Sequence, residues 1–256
     1  MSRIDSAFNQ PKAPLLNVYF TAGFPDLNST IPVLKGLEKA GADMVEIGMP
    51  YSDPLADGPT IQQSSMRALE NGMSIKVLFE QLAGMREEMK LPIILMGYLN
   101  PIIQFGMEAF CKRCAEVGID GLIIPDLPME LFDSEFSELS KQHNLDFIFL
   151  ITPETKEERI REIDQRSTGF IYMVSFSSTT GSTGELSEDQ LNYFKRIETM
   201  NLINKRMIGF GISDKQTFQQ ATDHADGAIV GSAFIKQLEI DSSPEAIGSF
   251  VDKIVF

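Results

Sequence analysis

GADMVEIGMPYSDPLADGPTIQ, residues 41–62, reads as a short apolar strand, a long loop rich in Pro and Asp, and the start of a helix. The strand, MVEIG at 44–48, has the near-continuous apolar character of a strand buried on both faces. The same unit repeats along the chain. Other strand-like runs lie at 17–22 (NVYFTA), 92–98 (PIILMGY), 121–125 (GLIIP), 146–151 (DFIFLI), 169–174 (GFIYMV), 206–211 (RMIGFG) and 227–231 (GAIVG). Between them, segments such as STIPVLKGLEKAG, FEQLAGMREEM, MEAFCKRCAEVG, FDSEFSELSKQH, KEERIREIDQRS and SEDQLNYFKRIETM carry helical spacing of apolar and charged residues. An open doubly wound sheet also alternates strand and helix, but a count of eight βα units favours closure. No linker, low-complexity tract or composition shift divides the 256 residues. The expected fold is therefore a single-domain (β/α)8 TIM barrel over 1–256, with long loops after strands 2 and 6.

In such barrels the chemistry comes from the C-terminal ends of the strands and the loops beyond them. Side chains alternate along a strand, so Val45 and Ile47 point one way while Met44, Glu46 and Gly48 point the other. Either face is mostly dry, and a carboxylate buried there needs a raised pKa or a specific partner. Glu46 is thus a candidate general acid or base; on this strand alone, a structural glutamate tied to backbone amides or an arginine is an equal alternative. Asp57, eleven residues on in PLADGPTIQ, falls on a loop over the barrel mouth. Two carboxyls in unlike surroundings can hold different protonation states at one pH. Asp53, in YSDP, reads as loop structure or a partner contact.

Gly-rich turns follow the last three strands: SSTTGSTGE (177–185), GFGIS (209–213) and GSAF (231–234). Glycine permits close backbone approach, and N–H groups at the start of a helix favour an anion. A phosphate site without a basic cradle is expected there, since barrels often bind phosphate after strands 7 and 8. The polar loop SFSSTTGSTGELS over 175–187 reads as a lid. Tyr172, Phe210 and Ile61 either belong to the core or wall a slot for a flat apolar group.

Composition narrows the partners. A net charge of −14 without a basic run argues against nucleic acid and anionic membrane surfaces. No apolar stretch is long enough to span a bilayer and the first residues lack a signal-peptide core, so a cytoplasmic location is expected. Cys111 and Cys114, in CKRC, lie within a helical pattern with no second ligand pair and read as ordinary helix cysteines.

FTAGFPD, GADMVEIGMPYSDPLADGPTIQ, YLNPI, GLIIPDLP, GFIYMVS, TTGSTGE, GFGIS and GAIVGSAF occur in one order and spacing, and through them nearly the whole chain resembles the tryptophan synthase alpha subunit family. The resemblance implies retro-aldol cleavage of indole-3-glycerol phosphate to indole and glyceraldehyde 3-phosphate, with no cofactor in this chain. It gives Glu46 the main acid-base role and Asp57 the carboxylate that polarises the indole N–H. It puts Tyr19, Ile61, Tyr172 and Phe210 around the indole and glycerol moieties, Gly181, Gly211, Gly231 and Ser232 at the phosphate, and Thr180 on the lid beside the aspartate. It further implies a pyridoxal-phosphate beta subunit that receives the indole, in an assembly of two alpha and two beta chains, with Asp53, Asn100 and Pro101 in regions facing that partner. The lid departs from many relatives at Phe176, Ser178 and Glu185, where they carry a basic residue, a glycine and another basic residue. A stand-alone lyase releasing free indole is the alternative, because the catalytic motif does not distinguish the two. The Pro-containing N-terminal segment implies a reduced first helix.

Overall fold

The computed structural model describes residues 1–10, 14–54, 56–175, 186–209 and 211–256. Its strands are β1 Leu15–Thr21, β2 Met44–Gly48, β3 Ile93–Met96, β4 Gly121–Ile123, β5 Asp146–Ile148, β6 Leu150–Ile151, β7 Phe170–Val174, β8 Lys205–Gly209 and β9 Gly227–Val230. They form one sheet in the order β5-β4-β3-β2-β1-β9-β8-β7-β6, and every neighbouring pair is parallel.

The eight expected strands appear as nine segments because the fifth is interrupted at Phe149. Its first piece pairs with β4 and its second with β7. One short run of chain therefore serves both ends of the ladder. The carbonyls of Phe147 and Phe149 accept from Thr168 N and Tyr172 N, each at 2.9 Å, and carry the pairing across the seam. The expected (β/α)8 barrel is borne out. Expected strands overrun at their C-terminal ends, as 92–98 does beyond Met96, where the chain leaves the ladder to form the loops of the mouth.

The lumen is filled by the alternating residues Leu15, Met44, Ile94, Ile123, Ile148, Phe170, Met207 and Ile229. The intervening residues Leu16, Val18, Phe20, Val45 and Ile47 point outward into the larger core beneath the helices. Helices start where the sequence supplies caps: Ser74, Ser187, Asp214 and Ser243 each accept a backbone N–H, and Pro occupies the first turn at Pro59 and Pro244. The helical pattern at 79–89 breaks, because Gly84 at φ 77° turns the chain out of Ile75–Leu82 into a 3-10 turn, Met85–Glu87. Cys111 and Cys114 sit fully buried on the helix Met107–Val117, as ordinary helix cysteines should. Burial pushes both thiols upward, Cys111 to about 11, so neither is a ready thiolate. Among the described residues no helix is long and apolar enough to cross a membrane.

The N-terminal end of the barrel is plugged. The helix Arg3–Phe8 is short, and a capping box between Ser2 and Asp5 starts it. Its Ile4 and Ala7 join the lumen cluster, and Ile4 packs where Gly121 and Gly169 leave room. Asp120, almost wholly buried, ties this plug to the sheet: Oδ1 accepts from Arg3 Nη1 at 2.7 Å, while Oδ2 accepts from Arg86 Nη2 at 2.5 Å and Ile93 N at 2.8 Å. Arg86 also donates to the carbonyls of Gly118 and Leu91. Removing one member of a buried ion pair strands the other charge. Asp120→Ala should therefore lower unfolding stability by about 3–5 kcal/mol in urea titration; a loss below about 1 kcal/mol, typical of exposed pairs, would contradict this reading.

Candidate active site

Glu46 occupies the middle of β2, between Met44 and Gly48 on the lumen face, and is fully buried. In the parallel register Tyr19 of β1 stands beside Glu46 and Asn17 beside Met44, which makes Asn17 the diagonal neighbour of Glu46. Its Nδ2 donates to Glu46 Oε1 at 2.6 Å. Among the described residues, Oε2 of Glu46 and Oδ1 of Asn17 are buried without a hydrogen-bond partner. Burial pushes the Glu46 carboxyl up to about 8, and the Asn17 bond opposes that rise in part. Among the described residues, neither a backbone amide nor an arginine is bonded to the Glu46 carboxyl.

Asp57 lies on the loop after β2, just before Gly58 and the helix Pro59–Glu70. Its backbone N–H donates to the Pro54 carbonyl at 3.1 Å, and its own carbonyl accepts from Gln62 Nε2 at 2.8 Å. The Tyr98 hydroxyl, beyond β3, donates to Asp57 Oδ2 at 3.0 Å and accepts from Ala56 N at 3.0 Å. Tyr51 packs on the Tyr98 ring with centroids 5.2 Å apart. Burial raises Asp57 to about 6, with the Tyr98 bond acting against the rise. The two carboxyls thus differ by about two units, the lumen one protonated at neutral pH and the loop one ionised.

A cavity of about 250 Å³ opens at the C-terminal end of the barrel. Seven of the expected residues line it: Tyr19, Asp57, Ile61, Tyr172, Gly211, Gly231 and Ser232. Glu46 does not line it, being buried beside Tyr19, whose ring does. Two glycines make space for the tyrosines, since a Cβ at Gly48 would overlap the Tyr19 hydroxyl and one at Gly209 the Tyr172 hydroxyl. Burial holds both phenols far above their ordinary value, so they remain neutral. At the other end, Gly231 caps the helix Ser232–Ile240, and its carbonyl accepts from Phe234 N and Ile235 N. The N–H groups of Ser232 and Ala233 precede those bonds and suit an anion. Gly211, at φ 80°, adopts a backbone conformation suited to glycine.

Thr180, Gly181 and Phe210 lie outside the described residues, as does 176–185 of the expected lid. Asp53 and Asn100 are exposed and Pro101 half-buried, away from the cavity lining. Sequence reading missed Met96 and Ile229 on the apolar wall and Lys236 at the anion end, so the site has a cation the glycine pattern did not disclose. It also missed Asn17 and Tyr98. Asn17 alternates with Tyr19 on one face of β1 and was accessible to the same period-two argument as Glu46; Tyr98 gave no comparable signal.

The family model "Tryptophan synthase alpha chain" matches residues 6–251. The tryptophan synthase alpha chain of Flavobacterium psychrophilum is 54% identical over 254 residues, covering 99% of this chain and 100% of its own. That of Bacteroides thetaiotaomicron is 52% identical over 245 residues, covering 96% of each. Among solved structures, tryptophan synthase subunit alpha from Legionella pneumophila superposes with TM-score 0.88 at 34% identity, covering 99% of this chain and 97% of that one. A chain of tryptophan synthase from M. tuberculosis, in an aminoacrylate-bound form, gives 0.86 at 28%, covering 99% and 98%.

The Glu46 shift carries a stability consequence. A carboxyl raised from its ordinary 4.5 to about 8 binds its proton more tightly in the folded state. Its contribution is complete below about 4.5 and disappears as pH rises through about 8. A Glu46→Gln variant lacks this dependence, so the stability of wild type relative to the variant should fall across that window in urea unfolding; a flat difference would show that Glu46 is not shifted upward.

Proposed function

Because the chain belongs to the tryptophan synthase alpha chain family, we propose that it cleaves indole-3-glycerol phosphate to indole and glyceraldehyde 3-phosphate and passes the indole to a beta subunit. The observation that carries this reading is a cavity with an apolar wall at one end and a helix N-terminus at the other, with Asp57 in its lining and the buried Glu46 directly behind Tyr19. Tyr19, Ile61, Met96, Tyr172 and Ile229 suit a flat indole. Gly211, Gly231, Ser232, the following backbone N–H and Lys236 suit the phosphate.

The chemistry follows from the protonation states. Glu46 enters as the neutral acid and gives its proton to indole C3, forming the C3–H bond and an iminium at N1. Asp57 enters ionised and stabilises the positive charge on the N1–H. The Glu46 carboxylate then removes the proton of the side-chain hydroxyl adjacent to C3. As that oxygen becomes the aldehyde carbonyl, the bond from C3 to the side chain breaks and its electron pair flows through the ring to N1. Indole leaves neutral and Glu46 regains its proton, so no proton is gained or lost over the cycle. These steps use the chain's own side chains; pyridoxal phosphate belongs to the beta partner. Exposed Asp53 and Asn100, with Pro101, form part of the surface offered to that partner in an assembly of two alpha and two beta chains. We place this assembly in the cytoplasm.

Purified chain incubated with indole-3-glycerol phosphate should release indole slowly alone and faster with a beta subunit; fast release indifferent to the partner would identify a stand-alone lyase. Glu46→Gln should lower kcat by about 10²–10⁴-fold and Asp57→Asn by about 10²–10³-fold. Since the neutral Glu46 and the ionised Asp57 are required together, kcat/KM should fall above about 8 and below about 6. A profile flat across both limbs would exclude this assignment. Lys236→Ala should raise KM several-fold with kcat unchanged, as expected of a contact made equally in ground and transition states.

A further inference from the structure

Glu46 has two oxygens in unlike situations. Oε1 receives Asn17 Nδ2 at 2.6 Å, while Oε2 is buried with no partner among the described residues. Asn17 is itself fully buried. It sits on β1, hydrogen-bonded to β2 and to β9 on its two sides, so its backbone is fixed by both ladders. We propose that Asn17 is the positioning residue of the acid-base carboxyl: its amide N–H holds Oε1 of Glu46 in both protonation states and so assigns the transferable proton to Oε2.

The proposal rests on Glu46 being the acid-base group, and the chemistry of the amide explains why this partner suits it. An N–H donor bonds a neutral acid at its carbonyl oxygen and a carboxylate at either oxygen, more strongly when charged. A lysine or arginine there would hold the carboxylate ionised, and a second carboxylate would demand a shared proton. Asparagine keeps the carboxyl oriented while it gives up a proton and takes one back. Turning the amide over would set Oδ1 against Oε1, two acceptors in contact, so the observed orientation is the one that bonds the anion. The groups around Glu46 leave this role to Asn17. Tyr19 on β1 and Tyr172 on β7 are the titratable side chains coupled to Glu46, both neutral, and Asp57 on the loop after β2 couples to those tyrosines. Ile94, beside Glu46 on β3, is apolar.

Asn17→Leu keeps the branching of the side chain, with somewhat more bulk, in a lumen already lined by Leu15 and Met44, and Asn17→Ser shortens it. Both remove the amide donor from Oε1. Because the Asn17 bond favours the charged form, its loss should move the alkaline limb of kcat/KM upward by about one unit while kcat falls about tenfold and KM stays within twofold. A fall in kcat with the limb unmoved would indicate a merely structural residue and overturn the proposal, as would unchanged kcat. In wild-type protein labelled with ¹⁵N-asparagine, one side-chain NH₂ pair should titrate with Glu46 and lose that titration in Glu46→Gln. No titrating pair would equally overturn it, whether or not the Asn17 variants fold. This NMR readout needs no substrate, so it separates failure of the Asn17 role from failure of the proposed reaction.

Discussion

The site depends on one costly arrangement, a glutamate in the dry lumen of a parallel barrel whose only hydrogen-bond partner among the described residues is a neutral amide. Burying a carboxylate without a counter-charge disfavours its ionised form, and among the described residues no cation pairs with Glu46 to restore that form. The consequence is a carboxyl near 8, neutral in the resting protein and able to act as an acid. Asp57, on the loop and bonded to Tyr98, stays closer to its ordinary behaviour at about 6. Burial raises both carboxyls, the deeper Glu46 further, and a single side-chain hydrogen bond moderates each.

The two ends of the barrel treat buried charge in opposite ways. At the N-terminal end Asp120 has every oxygen engaged, by Arg3, Arg86 and the Ile93 amide, and the plug helix is fastened through it. Toward the C-terminal end Glu46, in the middle of β2, keeps one oxygen unpartnered among the described residues, and Tyr19 and Tyr172 stand against glycines at positions with no room for a Cβ. Satisfied networks rigidify, and incompletely satisfied groups are costly unless a ligand completes them. The division matches the general rule that stability resides at one face of this architecture and chemistry at the other.

Much of this was legible in the sequence because the relevant signals are local. A charged residue interrupting MVEIG marks Glu46, strand alternation gives its face, and glycines at 209–213 and 231–234 mark an anion end. Ile61 and Tyr172 could be read from the sequence only as core or slot, and Tyr19 came from family resemblance alone; all three line the cavity. What escaped depends on register or on distant pairing. The Asn17–Glu46 bond joins residues 29 apart and the Tyr98–Asp57 bond residues 41 apart, and neither follows from spacing within one element. The split of the fifth strand at Phe149 likewise arises from closure, a property of the whole ring. Lys236 lies a full turn inside a helix whose start alone was read as the anion site.

The most direct test of this account is the protonation state of Glu46 itself in the resting protein. Infrared difference spectroscopy of wild type against Glu46→Gln at neutral pH reads the carbonyl stretch of a protonated carboxylic acid separately from the carboxylate bands. The account predicts a buried-acid carbonyl band that vanishes in the variant and converts to carboxylate as pH passes about 8. Carboxylate bands assigned to Glu46 at neutral pH would contradict it, since an already ionised Glu46 has no proton to give to the substrate.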